Sequence, residues 1–145
     1  MEISKAAEME LPHILEHSRQ AIYEGTLGDV MPSDDKVKAL ISPLLERGCY
    51  YLLAKEKETI LGWVLIGKTT DSFTDQDHGF IYELYVLEAF RGKGIAKQLM
   101  QTAVQKFKEA NYKQIRLSAY VENQAINLYK KLGFKERTVT MSLNL

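Results

Sequence analysis

The stretch from Phe80 to Phe107 admits few architectures. Apolar and aromatic residues crowd FIYELYVLE (Phe80 to Glu88), as in a strand buried on at least one face. After RGKG (Arg91 to Gly94) the period lengthens. Ile95, Leu99, Ala103 and Phe107 recur at four-residue steps, with Ala96, Met100 and Val104 beside them, which predicts an amphipathic helix. A strand that turns through two closely spaced glycines into a helix belongs to an α/β arrangement, and the rest of the chain must supply the rest of its sheet.

The flanking segments do so. Glu2 to Lys5 reads as a short strand. Met9, Leu11, Ile14, Leu15, Ala21 and Ile22 recur at roughly helical spacing from Ala6 to about Glu24, with Pro12 fitting only a first turn. GTLGDVMPSD is a loop. Ser33 or Asp34 then caps a second helix through Val37, Leu40, Ile41, Leu44 and Leu45, ended by Gly48; Pro43 should kink or split it. CYYLLAKE (Cys49 to Glu56) and TILGWVLIGKTT (Thr59 to Thr70) flank a polar turn at Lys57 and Glu58 and form a hairpin. YKQIRLSAYV (Tyr112 to Val121) predicts another strand, and Asn123 to Leu132 a short helix stopped by Gly133. ERTVTMSLNL alternates like a half-buried strand. With no internal repeat or linker, residues 1–145 read as one α/β domain of mixed sheet.

Composition excludes several classes. Nineteen basic residues balance nineteen acidic ones, so no net charge draws nucleic acid or an anionic membrane. The longest apolar runs are too short to span a bilayer. The N-terminal stretch has no basic segment followed by an apolar one, and the single cysteine, Cys49, rules out an internal disulfide. These features predict a cytoplasmic protein.

The two glycines at 92 and 94 are either punctuation or a cradle for an anion. A P-loop needs four residues between its glycines and a Lys-Ser/Thr pair, which RGKGIAKQ lacks; the dinucleotide fingerprint needs a third glycine where Lys97 stands. A third arrangement fits more residues. Small residues at 92, 94 and 96 let the N–H groups of Arg91 to Ala96 converge on an anion at the helix N-terminus, with Arg91 and Lys93 adding charge.

Arg91-Gly92-Lys93-Gly94-Ile95-Ala96 resembles the Arg/Gln-x-x-Gly-x-Gly/Ala signature of the GNAT acetyltransferase superfamily. A second block, SAYVENQAINLYKKLGF, is similar to the family's later motif at Ala125, Ile126, Leu128, Tyr129, Gly133 and Phe134. One residue rather than the family's usual two separates Asn123 from Ala125, so either Asn123 reaches the cofactor from a shorter loop or Glu122 takes its place. The resemblance covers nearly the whole chain and implies a mostly antiparallel twisted sheet of six to seven strands, splayed at the cofactor site, with about four helices on both faces.

It also implies acetyl-CoA as cosubstrate, without a metal, and a primary amine of a small molecule or peptide as acceptor. Leu84, Tyr85 and Val86 would line the pantetheine arm. Arg91, Gly92, Lys93, Gly94, Ile95 and Ala96 would hold the pyrophosphate, and Asn123 would contact the cofactor. Tyr129 stands where many members carry the tyrosine that protonates the leaving thiolate; the other reading is a ring that simply packs. Glu83 is the candidate general base, against the reading of a solvated strand carboxylate. Strict alternation puts it on one face with Ile81 and Tyr85, opposite Tyr82, Leu84 and Val86, unless a bulge intervenes. A non-catalytic acyl-CoA-binding module is the alternative function, and a homodimer is compatible with the family's habits.

Other residues read as structure. His13 and His17 share a helix face but no third ligand is in pattern; Cys49 and Trp63 read as core; Asp71, Asp75 and Asp77 lack calcium-loop spacing. Among Glu24, Asp29, Asp34 and Asp35, solvation competes with attraction of a cationic amine.

Overall fold

The computed structural model describes residues 1–145. The elements run β1 (Glu2–Lys5), α1 (Leu11–Gly25), α2 (Asp34–Glu46), β2 (Tyr50–Glu56), β3 (Thr59–Thr70), β4 (Asp77–Val86), α3 (Ile95–Glu109), β5 (Ile115–Leu117) and α4 (Ala125–Lys131). The strands form one sheet in the order β1-β2-β3-β4-β5; all neighbours are antiparallel except β4 and β5, which are parallel. Parallel pairing requires a crossover, and α3 supplies it.

The two sheet faces build separate cores. On one face Leu52, Val64, Ile66 and Ile81 meet Ile95, Leu99, Met100, Ala103 and Phe107 of α3, with Leu128 and Tyr129 of α4 packed alongside. On the other, Tyr51, Leu53, Trp63, Leu65 and Tyr85 meet Ile14 and Ala21 of α1 and Val37 and Ile41 of α2. Helices on both faces and a mostly antiparallel sheet agree with the expected fold class.

Local rules hold at most boundaries. Pro12 sits in the first turn of α1, and the Ser33 hydroxyl caps α2 by accepting from the Lys36 N–H at 3.1 Å. Gly133 takes φ +103°, the left-handed value expected after α4. Pro43 does not split α2: it falls in the last turn, where losing one N–H costs a single intrahelical bond.

Three further expectations change, and two share a cause. Leu65 pairs with Glu83 but Ile66 pairs with Ile81, so Tyr82 is an extra residue, a bulge in β4. An extra residue inverts the alternation on one side of it. Ile81 therefore joins the α3 core, and Tyr82 faces the α1–α2 side with Glu83 and Tyr85. Bulges also bend their strand, and β5 pairs with β4 only at Gly79, Phe80 and Ile81. The strand predicted over Tyr112–Val121 thus shrinks to Ile115–Leu117, because β4 diverges beyond that point. Finally, Lys135 to Leu145 forms no strand, so the sheet has five strands rather than six or seven.

Candidate active site

From Tyr82 to Val86, β4 has β3 on one side and no strand on the other. The Leu87 N–H donates to Leu61 of β3 at 2.9 Å. Backbone direction alternates along a strand, so the polar groups of Leu84 and Val86 point to the open edge. The Val86 carbonyl there accepts from Arg91 Nε at 2.9 Å. Leu84, Tyr85 and Val86 thus form a rail beside a gap in the sheet.

The rail runs into the glycine turn. Gly92 (φ +78°) and Gly94 (φ +79°) both adopt the left-handed conformation, which costs other residues about 1–2 kcal/mol each. A Cβ at either position would touch nothing, so conformation rather than crowding demands glycine there. Gly94 is the N-cap of α3 and has no side chain to cap it. The first amide past Arg91 to find a carbonyl is Gln98, donating to Gly94 at 3.1 Å; the N–H groups of Gly92 to Lys97 have no partner in the chain. Ile95, 6% exposed, anchors the turn in the core. Unpaired amides at a helix N-terminus, with Lys93 beside them, fit a pyrophosphate.

Arg91 is not a free cation. Its Nη1 lies 2.8 Å from Glu24 Oε1, and its guanidinium stacks 5.3 Å from the Tyr85 ring centroid. Glu24 accepts a second hydrogen bond, from the Tyr85 hydroxyl at 2.6 Å. Burial opposes ionisation of Glu24, but the Arg91 and Tyr85 donors win and hold its carboxyl below the usual value. The last turn of α1 is therefore fastened to both rail and turn. Asn123 adds a third tie: its Oδ1 accepts from the Ala125 N–H at 2.9 Å, and its Nδ2 reaches the Gly25 carbonyl at 3.4 Å.

Glu83 faces the α1–α2 side and keeps some exposure, yet its carboxyl lies deep among Trp63, Tyr51 and Tyr85. Burial raises it from the usual carboxylate range to about 7, against the opposing pull of the Trp63 indole, whose N–H donates to Oε1 at 2.6 Å. Trp63 is fully buried and stacks on Tyr85 at 5.2 Å. The Tyr51 hydroxyl, buried without a hydrogen-bond partner, lies within reach of the Glu83 charge, and both burial and that charge push its pKa up. A carboxyl tuned near neutrality on a desolvated floor can take or hold a proton at physiological pH.

Tyr129 comes from the opposite face. Its ring meets Phe134 edge-on at 6.1 Å and packs on the α3 core; its hydroxyl makes no hydrogen bond, and burial raises its pKa. Ring packing and a free hydroxyl therefore coexist. Glu83 and Tyr129 lie on opposite faces of the sheet, beside the segment of β4 that has no strand on its outer side. Two clefts, of about 380 and 240 Å³, lie elsewhere, against β1, β2, β3 and α3, and contain none of these residues.

The sequence reading had Trp63 as core and Glu24 as one of four acidic residues, and it missed the contacts of Trp63 with Glu83 and of Glu24 with Tyr85 and Arg91. A buried indole needs an acceptor for its N–H, and Glu83 in the next strand was a signal for the first. Nothing in the sequence joins Glu24 to Tyr85 across 61 positions. No helix is long and apolar enough to cross a membrane.

Comparison with known proteins agrees with the geometry. YycN of Bacillus subtilis (strain 168), called an N-acetyltransferase, is 31% identical over 127 residues, which span 81% of this chain and 80% of that protein. A structure described as an acetyl transferase from Pyrococcus furiosus superposes with TM-score 0.82 at 25% identity, covering 99% of each chain. A predicted acetyltransferase from Clostridium acetobutylicum, solved with acetyl-CoA, shares the fold at TM-score 0.76 and 24% identity, covering 99% of this chain and 95% of that one. With residues 14–134 matching the acetyltransferase (GNAT) family, the chain belongs to that family and is an acetyltransferase enzyme.

Proposed function

We propose that this enzyme moves the acetyl group of acetyl-CoA directly to a primary amine of a small molecule or peptide. The observation that carries the reading is the open edge of β4 leading straight into a turn whose amides from Gly92 to Lys97 are unpaired. An extended polar arm ending in a pyrophosphate satisfies both at once. Residues 1–145 act as one domain in this reading.

Each residue then has a task. Leu84 and Val86 present backbone groups along the rail, and an N–H there polarises the thioester carbonyl. Gly92 to Lys97 hold the pyrophosphate by their amides, with Lys93 adding charge. Arg91 ties the turn to Val86 and to Glu24, which sets the turn's place against the rail. Asn123 fixes the start of α4 and so the position of Tyr129. Bound acetyl-CoA supplies the activated acyl group.

An alkylammonium gives up its proton at neutral pH at a cost of about 4 kcal/mol. Glu83, ionised above about pH 7, takes that proton from the acceptor. Tyr129 donates to the departing sulfur from the other face. Tyr129→Phe should therefore lower kcat at least about tenfold with little change in the Kd for coenzyme A. Equal turnover in the two proteins would remove the hydroxyl from the mechanism.

Trp63 positions the base. Trp63→Phe removes the donor that favours ionised Glu83, so the rising limb of the pH profile should move to higher pH. A limb that stays in place would show that the indole N–H does not set the base.

The reading itself is tested by thiol release from acetyl-CoA with polyamines, amino acids, aminoglycosides and peptides as acceptors. Acceptor-dependent release is expected with at least one amine class. Tight binding of acetyl-CoA with no turnover on any would make the chain a non-catalytic acyl-CoA-binding module.

A further inference from the structure

A row of side chains crosses three strands on the α1–α2 face. Tyr51 of β2 pairs with Leu65 of β3, and Leu65 pairs with Glu83 of β4. The ends of the row stand about 10 Å apart, two strand spacings. A tyrosine and a glutamate leaning toward each other over a leucine cover most of that distance. Trp63 flanks the row and gives its indole N–H to Glu83 Oε1 at 2.6 Å. Glu83 Oε2 accepts from no group of the chain.

Tyr51 has the matching defect. It is 1% exposed, and its hydroxyl has no hydrogen-bond partner. An unpaired buried hydroxyl lowers stability, and phenylalanine would fill the same space without that cost. Its presence in this core therefore calls for a reason. Two polar groups lie near it, Ser18 and Glu83. Ser18 is fully buried on α1 and gives its own proton to the Ile14 carbonyl at 3.1 Å, so its oxygen is left only to accept. An unpaired donor and an unpaired acceptor thus share one desolvated floor.

The other charged and titratable groups on this face are placed differently. The His17 ring of α1 lies 6.3 Å from Trp63, and Glu24 is held by Arg91 and Tyr85. From α2 come Val37 and Ile41, with Arg47 beside Tyr82 past the helix end. Cys49 packs against Gly67. None of these forms a hydrogen bond with Glu83.

We propose that Tyr51 is a positioning residue for the base: its hydroxyl, kept in place by Ser18, donates to the free oxygen of Glu83 once that carboxyl ionises, directly or through one water. The phenol keeps its proton throughout, and only its hydrogen bond changes. Tyr51 and Trp63 then hold one carboxylate oxygen each, and together they offset part of what burial costs the charge. The inference rests on the proposed role of Glu83, but the contact is read without acetyl donor or acceptor.

The test follows the Glu83 carboxyl itself, by carbon-13 NMR of the full chain with labelled glutamate. Its signal is the one that Glu83→Gln lacks. A midpoint of about 7 is expected in the unaltered protein. Loss of a hydrogen bond to a charged group should raise it by about one pH unit in Tyr51→Phe. His17→Gln should leave it in place. Melting curves should show Tyr51→Phe at least as stable as the unaltered protein at pH 5 and less stable at pH 9. A merely structural hydroxyl would change stability equally at both.

Turnover on an acceptor amine should fall about fivefold at pH 7 in Tyr51→Phe and recover toward pH 9, as the ionised fraction does. An unmoved midpoint in Tyr51→Phe, or an equal shift in His17→Gln, overturns the proposal. So does a midpoint in the usual carboxylate range before any substitution. A shifted midpoint in a protein that acetylates no amine would uphold the contact and strike the acetyl-transfer reading alone.

Discussion

Glu83→Gln should lower kcat/KM by about 100-fold or more at pH 8 and abolish the rising limb near pH 7. General-base catalysis is typically worth 10²–10⁴-fold, and the amide that replaces the carboxylate cannot accept the acceptor's proton. The limb follows from the sign of the shift. Burial raises the Glu83 carboxyl to about 7, so the base is protonated and idle below that pH and ionised above it. The variant also separates catalysis from folding. Between the usual carboxylate range and about pH 7 the folded state holds a proton that the unfolded chain has lost, so this group makes stability fall as pH rises through that window. Glutamine keeps an oxygen for the Trp63 N–H and carries no charge, so Tm at pH 8 should be equal or higher in the variant. Pre-steady-state and pH-rate measurements beside a melting curve check both statements. A retained limb would mean that another group, or the acceptor itself, titrates there.

The second large effect belongs to the turn. Gly92→Val with Gly94→Val should weaken coenzyme A binding at least about 30-fold, roughly 2 kcal/mol, measured by calorimetry. Both glycines sit in the left-handed region, where a β-branched residue is strained by about 1–2 kcal/mol each. The chain either carries that strain when bound or relaxes out of the geometry that aims the amides at one point. Neither Cβ would meet a neighbour, so core packing should persist and the circular dichroism should be unchanged. Unaltered affinity would show that the pyrophosphate is held by side chains instead, with Lys93 the first candidate.

Much of the site was legible because its signals are local. Left-handed glycines before a helix, a free helix N-terminus and the Tyr129–Gly133–Phe134 spacing are short-range statements, and each stands where the sequence put it. Glu83 was nameable as a carboxylate on β4. Its tuned carboxyl was not, since that depends on Trp63 and Tyr51 arriving from two other strands. Arg91 was read as a cation for phosphate, but Glu24 claims it from the far end of α1, a contact no spacing rule encodes.

The sequence by itself determined the order of elements, the positions that need glycine and the residue types available to chemistry. Periodicity and φ preferences act within a few residues, so they survive without the rest of the fold. The tertiary structure alone decided where β4 parts from β5, which face Glu83 looks to, and that residues 138–145 stay out of the sheet. One bulge at Tyr82 accounts for the first two, because a single extra residue inverts side-chain alternation and bends a strand. Whether an alternating segment becomes a strand depends on a free edge being within its reach, and that is a property of the assembled sheet.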